Sequence, residues 1–64
     1  MVKINGENLD KDGKTVSEVL ADMEINGQRV AVELNEEIVP KAKYGETVLK
    51  DGDKVEVVRF VGGG

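Results

Sequence analysis

The residues best suited to chemistry are the last four, Val61-Gly62-Gly63-Gly64, which end the sequence on a glycine carboxylate. Glycine has no Cβ, so such a segment threads a narrow channel in an extended state and leaves its final carbonyl open to a nucleophile or to ATP. That is the chemistry of a carboxylate meant to be activated. A frayed terminus, where small residues collect, is the plain alternative for the same residues. Other chemistry is scarce, because the 64 residues include no Cys and no His. This removes the thiol nucleophile, the thiolate metal ligand, the commonest base and the imidazole ligand together. Ser17 is a lone hydroxyl with no base to activate it. Asp10-Lys11-Asp12-Gly13 resembles the start of a calcium loop, but its glycine comes too early and Ala21 stands where a bidentate carboxylate is needed. The glycines at 62–64 have no helix after them and so do not form a phosphate-cradling loop. No metal site is expected.

Composition narrows the partners. Nine basic against thirteen acidic side chains leave a net charge of -4, so binding to a phosphate backbone lacks its main driving force. No nucleic-acid partner is expected, and a charged partner surface should be basic. No basic stretch precedes an apolar one at the start, and no apolar run exceeds three residues, so neither a leader nor a membrane span is expected. The expected location is the cytoplasm.

The elements that must position the terminal glycines follow from local pattern. Val2-Lys3-Ile4 alternates, Asn5-Gly6 is the dipeptide favoured in type I′ turns, and Glu7-Asn8-Leu9 returns antiparallel. Thr15-Val16-Ser17-Glu18 has capping-box spacing and starts a helix. The apolar residues Val16, Val19, Leu20 and Met23 make one stripe of a period-3.6 surface, with Asn26-Gly27 as the expected stop. A helix with a single buried face packs on a sheet. Val30 to Leu34 alternates with Val30, Val32 and Leu34 on one side, followed by a turn at Asn35-Glu36-Glu37 and a brief extended piece at Ile38-Val39. Pro40 ends that piece, and Lys41 to Gly45 makes one helical turn. Thr47-Val48-Leu49 reads as a short strand, Asp51-Gly52-Asp53 as a tight turn, and Lys54 to Val61 as the longest β run. The order β-β-α-β-β-β predicts an α+β fold of β-grasp (ubiquitin-like) type, a mixed sheet of four to five strands packed on one helix. One domain spans 1–61, with 62–64 as a flexible glycine tail.

With those elements in place, the chain resembles the ThiS/MoaD family of ubiquitin-like sulfur carriers, and within it the ThiS-type carriers of thiamine biosynthesis. The resemblance covers nearly the whole chain: the opening Asn-Gly hairpin, the helix, Asn35-Glu-Glu-Ile-Val-Pro-Lys41 with Tyr44, Asp51-Gly-Asp53 and the terminal Gly63-Gly64. Gly62 adds a third glycine to the usual pair. The length favours the thiamine branch, as does Phe60-Val61-Gly62 in place of a proline before the glycines. The resemblance implies that Gly64 is adenylated, with ATP and Mg²⁺, by a ThiF-like activating enzyme and then converted to a thiocarboxylate. A sulfur donor system supplies the sulfur, and the thiazole synthase ThiG receives it. The implied role is that of a protein cosubstrate rather than an enzyme. Gly62 and Gly63 would be the tail that enters the partner's active site. The alternatives are a MoaD-like carrier for molybdopterin synthesis, a ubiquitin-like modifier conjugated to lysines, and an interaction module whose tail is never activated.

Strand parity adds a docking surface. If Val55 and Val57 face the core, Glu56, Val58 and Phe60 face out. Val58 and Phe60 then form an apolar patch beside the tail, suited to partner docking. A bulge or strong twist would instead return Phe60 to the core.

Overall fold

The computed structural model describes residues 1–60. Two three-residue strands, β1 (Val2–Ile4) and β2 (Glu7–Leu9), form the opening hairpin, and helix α1 (Val16–Asp22) follows. β3 (Val30–Leu34), β4 (Glu37–Val39) and β5 (Lys54–Arg59) complete the sheet, with single 3-10 turns at Gly27–Arg29 and Lys41–Lys43. The strand order is β2-β1-β5-β3-β4, so the last strand in sequence is the central one. β1 and β5 run parallel and the other neighbours antiparallel, which makes the sheet mixed, as expected.

Local chemistry explains the turns. Asn5 and Gly6 both have positive φ, 50° and 85°, the requirement of a type I′ turn. Asn35 and Glu36 repeat this pair of left-handed residues between β3 and β4. The capping box forms as the spacing predicts: the Glu18 N–H donates to Thr15 Oγ1 at 3.1 Å, and the Thr15 N–H donates to Glu18 Oε1 at 2.8 Å. Two lysines tie the preceding loop to the helix end, with Lys11 and Lys14 Nζ 3.4 and 3.3 Å from Asp22. Their hydrogen bonds, Lys14 first, hold the Asp22 carboxyl below its ordinary range.

Three expectations are corrected. The helix ends at Asp22 and not at Asn26-Gly27, because Glu24 takes the left-handed conformation at φ 58°. The Glu24 N–H then donates to the Ala21 carbonyl and the Ile25 N–H to the Leu20 carbonyl, the paired bonds of a Schellman motif. Asn26, freed from ending the helix, caps the 3-10 turn by accepting from the Gln28 N–H. Thr47-Val48-Leu49 is not a strand. It makes one isolated bridge, Val48 to Thr15, and its backbone pairs with the linker before the helix instead of with the sheet. The fourth strand is Glu37–Val39, folded back on β3 by the Asn35-Glu36 turn. Finally, β5 closes at Arg59, although the Phe60 N–H carries the pairing one bond further by donating to the Arg29 carbonyl. The predicted continuation to Val61, the domain limit there and the tail at 62–64 lie outside the described residues.

The core sits between α1 and one face of the sheet. Val16, Val19 and Leu20 supply the helix stripe, with Met23 partly buried beside them. Val2, Ile4, Val30, Val32 and Val55 supply the sheet side, and Val39, Tyr44 and Leu49 close the margins. Among the described residues no helix is long and apolar enough to cross a membrane, and no cluster of His, Cys, Asp and Glu could hold a metal.

Candidate functional site

β5 is the element that matters for the terminal glycines, because the chain runs from it into residues 61–64. Its central place gives it neighbours on both sides: β1 pairs with Lys54 and Val55, whereas β3 pairs with the five residues Val55 to Arg59. Val55 is buried and Val57 half-buried against the core, as parity predicts. Val58 and Phe60 are 54% and 62% exposed, so the strand does not twist Phe60 back into the core. Arg59 is exposed as well.

The two apolar residues differ in setting. Val58 lies opposite Ala31 in β3, on the sheet face away from the helix, and Ile38 of β4 lies across Glu33 on that same face at 70% exposure. Phe60 stands one residue past β5 and also lines a shallow groove of about 200 Å³ with Ile25, Asn26 and Arg29. Lys41 Nζ lies 5.4 Å from the centroid of the Phe60 ring, within cation–π range. The same ammonium donates to the carbonyls of Gly27, Gln28 and Val30 at 3.3, 3.2 and 3.1 Å. It therefore joins the 3-10 turn, the start of β3 and the ring beside the tail. Tyr44 Oη, buried below, donates to the same Val30 carbonyl at 3.4 Å.

Pattern reading missed Lys41 and Asn5. Lys41 follows Pro40 at the start of a short turn, and nothing local signals that it reaches β3 and Phe60. Asn5 reads as a turn residue, yet its carboxamide bonds β5: the Val57 N–H donates to Asn5 Oδ1 at 2.7 Å, and Asn5 Nδ2 donates to the Val57 carbonyl at 3.3 Å. Gly62, Gly63 and Gly64, the expected tail and reactive carboxylate, lie outside the described residues.

Comparison with known proteins decides between the families that share this fold. The sequence matches the ThiS family over residues 1–64. The chain belongs to the ThiS family. It is 41% identical, over the full length of both chains, to the sulfur carrier protein ThiS of Bacillus subtilis. The corresponding ThiS of Thermus thermophilus is 45% identical, again over both full lengths. A thiazole synthase of Paramagnetospirillum magneticum contains a stretch 45% identical to 95% of this chain, and the chain spans 19% of that longer protein. Among solved structures, the ThiS thiamine biosynthesis protein of Geobacter metallireducens superposes with a TM-score of 0.80 at 34% identity, covering 98% of this chain and 97% of the other. The β-grasp architecture expected from sequence is thus that of the ThiS family.

Proposed function

We propose that this protein is a sulfur carrier of thiamine biosynthesis, acting in the cytoplasm as a cosubstrate rather than as a catalyst. The observation that carries the reading is the full-length match to ThiS sulfur carriers on a chain whose sequence ends Val61-Gly62-Gly63-Gly64. A bare carboxylate is a poor acyl donor. In the proposed cycle a carboxylate oxygen of Gly64 attacks the α-phosphorus of ATP, bound with Mg²⁺ by a ThiF-like enzyme, and pyrophosphate leaves. Sulfide-level sulfur from a donor system then attacks the acyl carbon and displaces AMP from the mixed anhydride, giving a thiocarboxylate. The thiocarboxylate sulfur is a nucleophile at neutral pH, and thiazole synthase takes it up for ring formation. Sulfur rides on the backbone terminus, so a chain without Cys is a competent carrier.

Two further observations support the partners. A ThiS-like stretch within a thiazole synthase polypeptide fits the synthase as the sulfur acceptor. The exposed Val58 and Phe60, next to the tail in sequence, fit an apolar docking patch for the activating enzyme and the synthase.

The test is ATP–pyrophosphate exchange by the activating enzyme on the full chain and on a variant lacking Gly64. Exchange should occur with the first and vanish with the second, while the circular dichroism melts coincide. Intact mass of the native protein should show the increment of sulfur for oxygen, whereas lysine conjugates of far greater mass would favour a protein modifier.

A further inference from the structure

β1 stops at Ile4, where the chain turns away into the hairpin, but its parallel pairing with β5 does not stop there. The Lys3 N–H donates to the Asp53 carbonyl and the Asn5 N–H to the Val55 carbonyl, both at 2.9 Å, two successive steps of a parallel ladder. The next step requires a carbonyl for the Val57 N–H and an N–H for the Val57 carbonyl. Asn5 supplies both from its side chain, Oδ1 at 2.7 Å and Nδ2 at 3.3 Å. The carboxamide thus stands in for one peptide group that the turn has removed. Asp and Gly also tolerate the left-handed conformation that Asn5 adopts, but only the amide offers a donor and an acceptor together.

A second asparagine bonds the other end of the strand, with its backbone N–H as donor and its side-chain oxygen as acceptor. Asn35, likewise the first residue of a left-handed pair, donates its N–H to the Lys54 carbonyl at 2.8 Å and accepts the Lys54 N–H on Oδ1 at 3.0 Å. Asn35 Nδ2 donates in turn to Asp53 Oδ1 at 3.1 Å. Asn35 therefore holds the start of β5 at Lys54, and Asn5 holds it at Val57, where its pairing on the β1 side ends. Past Val57 the strand is paired, in the described residues, only with β3 and with the Arg29 carbonyl.

We infer that Asn5 is a positioning residue for the carrier's reaction: its carboxamide fixes Val57, and through it the course of β5 up to Phe60, the last described residue before the segment proposed to enter the activating enzyme. The inference rests on the adenylation reading above. Asn35, at the far end of the same strand, is the matched control, since its loss weakens the fold without touching Val57.

The experiment compares Asn5→Gly and Asn35→Gly, both of which keep a residue that adopts positive φ freely. Circular dichroism sets an assay temperature at which each variant is fully folded. Hydrogen exchange at the Val57 amide should accelerate by about tenfold or more in N5G and much less in N35G, as local opening does when one bond is lost. In ATP–pyrophosphate exchange, N5G should raise KM for the carrier about fivefold or more with kcat little changed, since apparent affinity falls with the fraction of carriers that hold the competent arrangement. N35G should keep the wild-type KM. Where N5G does not fold, Asn5→Asp, which keeps the turn and the acceptor for the Val57 N–H but loses the donor to the Val57 carbonyl, should raise KM relative to N35G in the same direction while the Val57 amide stays protected. Equal KM for N5G and wild type despite an unprotected Val57 amide overturns the inference, as does an equal rise in both glycine variants. No exchange with the wild-type chain overturns the adenylation reading itself, and the inference with it.

Discussion

At residue scale, the Val30 carbonyl shows how much of this small fold depends on shared acceptors. It receives Lys41 Nζ at 3.1 Å and Tyr44 Oη at 3.4 Å, so neither donor is its sole partner. Tyr44→Phe removes the longer bond and leaves no orphaned group, because the lysine still satisfies the carbonyl. The expected loss is at or below about 1 kcal/mol, the net worth of an ordinary hydrogen bond. Tyr44→Ala empties a buried aromatic site and should cost about 3–5 kcal/mol, as large core truncations do. Urea midpoints for the two variants check the contrast. Asn5 is shared in another way: its backbone serves a turn locally, while its carboxamide accepts from the Val57 N–H and donates to the Val57 carbonyl, 52 residues away. Only the first role is legible in sequence. An Asn-Gly pair announces its turn through adjacent dihedrals, but nothing near it announces Val57.

At element scale, what could be read was what is decided within four residues. The capping box at Thr15 and Glu18 is such a case, and its geometry follows from spacing alone. A helix of seven residues is too short to persist without its ends and its packing. Thr15→Ala should therefore lower stability by about 1 kcal/mol, within the usual 0.5–2 for a lost N-cap, and Thr15→Ser should recover most of it. Thermal melts of the three proteins test this. The helix end was not legible, because Glu24, a residue without preference for positive φ, is held there by the Schellman bonds of Glu24 and Ile25. The position of the fourth strand is hidden from local pattern for a related reason. Ile38-Val39 and Thr47-Val48-Leu49 have similar β character, and the choice falls to tertiary contact: the Asn35-Glu36 turn lays one beside β3, while the other is occupied with Lys14 and Val16.

At the scale of the whole molecule, one sheet face packs on the core and the other, among the described residues, has no covering layer. Period two along β5 was enough to assign its side chains to these faces, which is why the exposure of Val58 and Phe60 was legible before the fold. What parity could not supply was the company of Phe60: the groove it lines with Ile25 and Arg29, and the Lys41 ammonium over its ring, come from segments far away in sequence. These surroundings give the proposed docking patch a separable energetic signature. At 62% exposure, Phe60 leaves little buried area to lose on truncation, and the exposed cation–π contact adds only about 0.5–1 kcal/mol. Phe60→Ala should thus lower folding stability by no more than about 1 kcal/mol, against the roughly 3–5 kcal/mol of a buried phenylalanine. If the ring is an anchor for the activating enzyme, the same substitution should weaken that complex by about 2 kcal/mol or more, the scale of an interface hot spot. Lys41→Met, which keeps the stem of the side chain but removes the charge over the ring, should produce a smaller loss of affinity in the same direction. Denaturation midpoints measured beside affinities for the activating enzyme separate the two effects: unchanged affinity of folded Phe60→Ala protein would show that the carrier is held elsewhere on its open face.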